Sequence, residues 1–256
     1  MTVVSVHGVP ETGAIWQGVR DHLDRDSIAL DLPGFGAPVP AGLGSGKEAY
    51  AAWLADTLRQ LPGPIDLVGH DWGALLTYRV ATAYDVPLRS WAADVASVVH
   101  PSYVWHDLAR IWQTPGEGEA FNAAALSTPV DESTSMAGRL RDQGVPPAHA
   151  RAVQEKLDET MAQSILALYR SALPNPYADW GADFARTDAP GLVLKAADDA
   201  ADDGEAARHM ARVLGAQVRV LDGVGHFWML QDPQQAAQTL REFWHEVDGH
   251  RGTRPA

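Results

Sequence analysis

One short stretch, residues 67–74 with the sequence Leu-Val-Gly-His-Asp-Trp-Gly-Ala, constrains the fold of this chain more than any other. An apolar run enters it at residues 65–68, and a helix-compatible run leaves it at residues 74–83. Gly69 and Gly73 lie two residues either side of Asp71. Because glycine has no Cβ, it tolerates close backbone contact on both sides of a sharp turn. The pattern therefore predicts a strand-to-helix corner that exposes the Asp71 side chain at the end of a sheet.

The residue type at this corner indicates the chemistry. Serine is the usual nucleophile of such a turn, and here the position is an aspartate. A carboxylate that attacks an acyl carbon forms an anhydride, whereas one that attacks a saturated carbon forms an ordinary ester that water can hydrolyse. Asp71 therefore favours alkyl-transferring hydrolysis, either epoxide opening or carbon–halogen cleavage. The alternative interpretation of Asp71 is a helix N-cap.

Strands and helices alternate along most of the chain, which predicts an α/β fold with a mostly parallel, doubly wound sheet. The alternation is interrupted over residues 100–187, which we interpret as an inserted helical cap between two parts of one core, residues 1–99 and 188–256. The predicted strands are residues 2–6, 27–32, 65–68, 91–99, 191–195 and 218–221, and the predicted helices outside the cap are residues 14–23, 47–61, 74–83, 204–214 and 233–246.

Composition excludes several classes of partner and cofactor. The 256 residues suffice for one large core, and the net charge of −13 without a Lys/Arg cluster predicts no nucleic-acid or anionic-membrane partner. The absence of cysteine excludes disulfides and thiolate metal sites, and the histidines lack metal-ligand spacing. Neither a targeting segment nor a long apolar run is evident, so we expect a cytoplasmic protein without a membrane anchor.

Two further groups follow predicted strands, where the side chains at the ends of a parallel sheet converge. Asp198 and Asp199 follow the strand at 191–195, and His226 follows the strand at 218–221. His226 would act as general base on water, and one of the two aspartates would orient it, the other being a solvated turn residue. The N–H groups of Val9 and Trp72 are expected to form an oxyanion hole. A structural histidine is the alternative interpretation of His226.

Taken together, these motifs make the whole chain resemble the epoxide hydrolase/haloalkane dehalogenase branch of the α/β-hydrolase superfamily. The resemblance implies an α/β-hydrolase fold, Asp199 in place of Asp198 as the acid, and no cofactor or metal. Most relatives carry two extra strands before the first motif, so the resemblance implies a sheet shortened at its N-terminal edge. The motifs that carry it are His7-Gly8-Val9-Pro10, Asp31-Leu32-Pro33-Gly34-Phe35-Gly36, Gly69-His70-Asp71-Trp72-Gly73, Asp199 and Gly225-His226.

The resemblance also bears on the leaving group. Epoxide hydrolases usually present two cap tyrosines that protonate the opened epoxide, and residues 165–170 look like the segment that carries the second, which implies that Tyr169 is the acid. The position expected for the first holds Leu108, so Tyr103 or His106 would have to substitute. Haloalkane dehalogenases usually have asparagine where this chain has Val9. The resemblance therefore favours epoxide hydrolysis to a vicinal diol.

Two alternatives stay open at this point: a hydrolytic haloalkane or haloacid dehalogenase with the same triad, and a non-catalytic ligand-binding member of the fold. The cap aromatics predict a small apolar substrate in contact with Tyr103, Trp105 and Trp112. Either of these tryptophans, paired with Trp72, would make a halide cradle in a dehalogenase. The sequence does not specify the oligomeric state, and a homodimer remains open.

Overall fold

A six-stranded, entirely parallel sheet forms the centre of the molecule in a computed structural model that describes residues 1–252. The strand order is β2-β1-β3-β4-β5-β6, so β2 forms one outer edge, as the predicted shortened sheet requires. The α/β class and the parallel sheet are thus confirmed. The strands are β1 (Thr2–Val6), β2 (Asp26–Leu30), β3 (Ile65–Gly69), β4 (Leu88–Ala93), β5 (Gly191–Ala196) and β6 (Gln217–Leu221).

The helices lie on the faces of the sheet and in the long connection between β4 and β5. The core helices α2, α3, α10 and α12 bury apolar residues against the strands, which is the arrangement a buried parallel sheet needs. Helices α4 to α9 all fall within the β4–β5 connection. The helices are α1 (Gln17–Asp21), α2 (Lys47–Gln60), α3 (Trp72–Ala83), α4 (Asp107–Gln113), α5 (Glu117–Ser127), α6 (Met136–Asp142), α7 (Pro147–Lys156), α8 (Glu159–Arg170), α9 (Tyr177–Trp180), α10 (Gly204–Leu214), α11 (Trp228–Gln231) and α12 (Pro233–Gly252).

The strand order reverses between β1 and β3. The chain runs from β1 outward to β2 and then returns to β3 on the other side of β1. Ligands of open parallel sheets bind outside the carboxyl ends of the strands at such a reversal. The turn after β1 and the corner after β3 meet there, because Val6 pairs with Gly69.

Several predicted boundaries were wrong. The helix expected over residues 14–23 is a 3-10 turn, Gly13–Trp16, followed by the short α1. The strand expected over residues 91–99 ends at Ala93, and Ala96–Val99 is a 3-10 helix. Val95 between them has φ 42°, a left-handed conformation that no strand continues through.

Two other boundaries also differ. The strand expected over residues 27–32 is β2, Asp26–Leu30. The closing helix, expected to end at residue 246, continues to Gly252 as α12. No helix within residues 1–252 combines the length and the hydropathy that crossing a bilayer would require.

Candidate active site

Asp71 lies at a strained corner between β3 and α3. Its φ of 50° and ψ of −116° are unusual for a residue with a side chain, and such a conformation costs on the order of 1–3 kcal/mol. Two glycines permit the close packing: a Cβ on Gly69 would lie 2.3 Å from the Gly73 carbonyl oxygen, and one on Gly73 would lie 2.3 Å from the Val6 carbonyl oxygen. The corner holds the Asp71 side chain in the crevice between β1 and β3.

His226 lies between two carboxylates. Its Nδ1 is 2.8 Å from Oδ2 of Asp199, and its Nε2 is 3.9 Å from Oδ2 of Asp71. The other Asp199 oxygen accepts a 2.9 Å hydrogen bond from the Ala201 N–H, which fixes the carboxylate. Asp198, in contrast, is exposed. The structure thus brings Asp71, His226 and Asp199 together and leaves Asp198 outside.

Burial and hydrogen bonding shift the pKa values of all three groups. Burial would raise the pKa of Asp199, but the hydrogen bond and charge of His226 outweigh it and lower the pKa to about 2. Burial lowers the pKa of His226, yet its bond to Asp199 outweighs that effect, so the pKa lies above its ordinary value. Burial raises the pKa of Asp71, and the neighbouring His226 only partly offsets this rise. Asp199 is therefore ionised and orients the basic imidazole of His226.

A backbone N–H group contacts the second oxygen of the Asp71 carboxylate. The Val9 N–H donates a 2.9 Å hydrogen bond to Oδ1 of Asp71. Trp72 is the first residue of α3, so its N–H has no partner within the helix. Of the two donors expected to form an oxyanion hole, the Val9 N–H therefore contacts Oδ1, whereas Oδ2 faces His226.

A buried polar cluster that the sequence analysis missed lies beneath the corner and consists of Glu11, His70 and Asp94, each at most 2% exposed. The His70 ring joins the two carboxylates, with Nδ1 2.5 Å from Oδ2 of Asp94 and Nε2 3.5 Å from Oε1 of Glu11. Burial lowers the pKa of His70, but the charges of Asp94 and Glu11 raise it well above the ordinary value. A cationic His70 therefore neutralises part of the buried negative charge.

This cluster connects the segments that carry the reacting groups. Asp94 accepts the Asp71 backbone N–H at 2.9 Å and the Trp228 indole N–H at 2.6 Å. Glu11 accepts the Gly8 N–H at 2.9 Å. The only sequence signal for Asp94 is an acidic residue that interrupts the apolar run at the end of β4.

A cavity of about 320 Å³ opens above Asp71 and His226, and its walls are mainly apolar and aromatic. All three predicted contact residues line it, as do Tyr169 and Leu108. Among residues 1–252 no group of three or more side chains could hold a metal ion. The lining residues are Val9, Pro10, Asp71, Trp72, Leu75, Val95, Val98, Tyr103, Trp105, His106, Leu108, Trp112, Met136, Arg139, Leu140, Gln143, Tyr169, Asp199, Ala201, His226 and Phe227.

Two tyrosines share this cavity with the carboxylate. The Tyr169 ring lies 4.8 Å from the Trp112 ring and 5.2 Å from the Trp72 and Trp105 rings, measured between centroids. Burial raises the pKa of Tyr169 well above its ordinary value, and the charge of Asp71 adds to the rise. Burial raises the pKa of Tyr103 as well. Both phenols therefore stay protonated at neutral pH.

His106, the other substitute considered for the missing cap tyrosine, has a structural role. Its side chain caps α4 by accepting the Ala109 N–H at Nδ1 over 3.2 Å. The hydroxyl-bearing residue that the cavity offers beside Tyr169 is therefore Tyr103.

The indole N–H groups differ in whether they are available to a ligand. Trp105 donates to the Ala172 carbonyl oxygen at 3.1 Å, and Trp112 donates to Oδ1 of Asn122 at 2.9 Å. The Trp72 indole nitrogen is buried beside Tyr169, whose ring centroid lies 5.2 Å from that of Trp72. A halide cradle of Trp72 with Trp105 or Trp112 would therefore require an existing hydrogen bond to break.

A family model and several known proteins match this chain. The family model described as the alpha/beta hydrolase family matches residues 3–239. A haloalkane dehalogenase from Mesorhizobium japonicum is 27% identical over 186 residues, which cover 68% of this chain and 53% of that enzyme. A coelenterazine h 2-monooxygenase from Renilla reniformis is 29% identical over 115 residues, 41% of this chain and 36% of that protein. The chain thus spans about half or less of the length of these relatives.

Solved structures share the fold across nearly the whole chain. A haloalkane dehalogenase from Bradyrhizobium elkani superposes with a TM-score of 0.75 at 20% identity, covering 97% of this chain and 91% of that one. A mutant epoxide hydrolase from Bacillus megaterium gives a TM-score of 0.74 at 17% identity, with coverages of 95% and 93%. A thermophilic esterase from Thermogutta terrifontis gives 0.66 at 22% identity, with coverages of 96% and 90%. At these identities the likeness concerns the fold alone.

Proposed function

The chain belongs to the α/β-hydrolase family, and we propose that it hydrolyses epoxides to vicinal diols through an ester between Asp71 and the substrate. The proposal is supported by a carboxylate at the strained corner, in an aromatic cavity that also holds two protonated phenols. We also propose that residues 100–187 form the cap of the active site, because Trp105, Trp112 and Tyr169 all face Asp71 across this cavity.

The first step is ring opening. Oδ2 of Asp71 attacks an epoxide carbon, the carbon–oxygen bond breaks, and the electron pair goes to the epoxide oxygen. Tyr169 gives its proton to that oxygen, assisted by Tyr103. Their raised pKa values keep both phenols protonated until the oxygen becomes strongly basic. The product of this step is a hydroxyalkyl ester of Asp71.

The second step is hydrolysis of that ester. Nε2 of His226 takes a proton from water, and the resulting hydroxide attacks Cγ of Asp71. Negative charge develops on Oδ1, which already accepts the Val9 N–H at 2.9 Å, and the Trp72 N–H is the second donor. Asp199 stabilises the imidazolium across the 2.8 Å bond to His226. The carboxyl proton passes to the departing diol alkoxide, and the imidazolium proton restores the Tyr169 phenol.

The observation that carries the choice of epoxide is the hydrogen bonding of the cavity side chains. A departing alkoxide needs a proton, which Tyr169 and Tyr103 supply, whereas a departing halide needs free N–H donors. The indoles of Trp105 and Trp112 are both engaged by protein oxygens. Dehalogenation is the second candidate, favoured by the 27% identical relative and by the Trp72 indole, which lines the cavity beside Asp71.

Intact mass spectrometry of His226→Gln, incubated with panels of epoxides and haloalkanes, tests the proposal. The variant retains Asp71 but lacks the base, so the alkyl ester should accumulate. An adduct equal in mass to the whole epoxide supports the proposed reaction, and an adduct equal to the haloalkane minus hydrogen halide supports dehalogenation instead. His226→Gln carrying Asp71→Asn is the control and should form no adduct. If wild-type protein turns over neither panel and no adduct forms, both proposed reactions are wrong, as the non-catalytic alternative predicts.

A further inference from the structure

The side of α6 that faces the cavity carries a positively charged side chain, Arg139. Met136, Arg139, Leu140 and Gln143 all line the cavity, and their spacing of three and four residues places them on one helix face. Met136 and Leu140 are buried, whereas Arg139 and Gln143 are exposed. The face is therefore apolar in part and ends in two polar side chains, one of which is charged.

No residue of the described chain neutralises Arg139. Within residues 1–252 its guanidinium forms neither an ion pair nor a hydrogen bond, and it lies over the Phe121 ring with 5.2 Å between Cζ and the ring centroid. Nearby arginines differ: Arg170 pairs with Glu119, and Arg151 pairs with Asp131. Stacking occupies the flat face of a guanidinium and leaves its in-plane N–H groups free to bind a carboxylate in bidentate geometry.

The negatively charged groups of the cavity indicate which kind of ligand Arg139 would bind. Asp71 and Asp199 supply negative charge at the reacting end, and the whole chain carries a net charge of −13. An anionic group is repelled by these two carboxylates and attracted by Arg139, so the α6 end of the cavity favours it. An apolar body would then extend past Met136 and Leu140 towards Asp71.

We propose that Arg139, with the side-chain amide of Gln143, binds a carboxylate of the substrate, so that the substrate is an apolar epoxide with an acid group at its far end. This inference rests on the proposed function for the epoxide and on α6 for the acid. It refines the small apolar substrate predicted from the sequence. Arg139 is a specificity residue and takes no part in the bond changes at Asp71.

Matched substrate pairs test this inference. The kcat/KM values are measured for a series of ω-epoxy carboxylic acids and for their primary amides, which share shape and lack charge. Wild-type protein should prefer the acids. Arg139→Gln should lower the ratio of acid to amide by about fivefold, the size expected for a solvent-exposed ion pair. Ionic strength of about 1 M should lower the wild-type ratio as well, because charges are then screened within about 3 Å.

Arg141→Gln is the control on the same helix, because Arg141 donates to the Val130 and Glu132 carbonyl oxygens and does not line the cavity. It should leave the ratio unchanged. A ratio that Arg139→Gln does not lower, or that Arg141→Gln lowers equally, would overturn the inference while the epoxide chemistry stands.

A binding measurement separates this inference from the proposed function. Saturated carboxylates and the corresponding amides are titrated while the fluorescence of the cavity tryptophans is followed, which needs no turnover. Binding of the carboxylates that Arg139→Gln weakens about fivefold supports the acid site even if no epoxide is hydrolysed. Equal binding of carboxylates and amides by wild-type protein contradicts it.

Discussion

Substitution of Gly8 by alanine should disable the nucleophile with little loss of fold. A Cβ at Gly8 would lie 2.5 Å from both Cβ and Oδ1 of Asp71, although ordinary van der Waals contacts begin at 3.4 Å. One of the two groups must therefore move by about 1 Å. The turn is held by Glu11, whose carboxylate accepts the Gly8 N–H and whose own N–H donates to the Gly8 carbonyl oxygen. The displacement therefore falls mainly on the Asp71 side chain.

The size of the effect follows from that displacement. A misplacement of about 1 Å at a reacting group costs about 100-fold in rate, and overpacking of this kind costs about 1–3 kcal/mol of stability. We expect Gly8→Ala to lower kcat/KM by about 100-fold towards the best substrate of the epoxide panel. The protein should remain folded in water, because domains of this kind are stable by about 5–15 kcal/mol.

Steady-state kinetics and urea unfolding of the same preparations measure both effects. Gly204→Ala is the matched control: its Cβ would meet only the far end of the Arg208 side chain, at 3.5 Å, in the first turn of α10. It should keep full activity and gain up to about 1 kcal/mol. Activity of Gly8→Ala within about threefold of wild type would refute the claim that the turn confines Asp71.

Two further outcomes follow from the charges and hydroxyls of the site, and a third from Asp202, a buried carboxylate outside the cavity that accepts the Ser97 N–H at 3.2 Å. The pKa of His226 lies above its ordinary value, so the acid limb of the kcat–pH profile should have its midpoint above about 6.5. The pKa of Tyr169 is raised as well, so kcat should stay level at least to about pH 10. Tyr169→Phe should slow adduct formation in rapid-quench experiments by about 100-fold or more, and Tyr103→Phe should slow it less, because the latter only assists. Burial raises the pKa of Asp202 to about 6, against about 3.9 in the unfolded chain, so wild-type stability falls as pH rises between these values. Urea unfolding of Asp202→Asn should therefore show a gain over wild type of about 1–3 kcal/mol at pH 8 that vanishes at pH 4.

The sequence predicted the fold and the strand-to-helix corner at Asp71 because those features depend on local patterns. Gly69 and Gly73 indicate a corner at Asp71 before any contact is known, and the alternation of strands and helices places the turn after β1 beside it. The positive φ of Asp71 and its hydrogen bond from Val9 agree with that prediction. The roles of His226 and Asp199 stay predictions, although the structure places them 2.8 Å apart.

The features that sequence reasoning missed depend on partners from distant segments. Glu11 and Asp94 are acceptable in the core because His70 lies between them and because N–H groups from other segments donate to both carboxylates, and no spacing in the chain reveals that. The same cause misplaced the end of β4: Asp94 turns towards the Asp71 N–H, and the strand stops at Ala93.

The central claim is that Asp71 is alkylated and that water attacks its carboxyl carbon. A single turnover in water enriched in heavy oxygen, with enzyme in excess over epoxide, tests this most directly. The account predicts that the isotope enters the peptide containing Asp71 and that the diol of the first turnover is unlabelled. Label in the diol with none in that peptide would mean that water opens the epoxide directly, and would contradict the account.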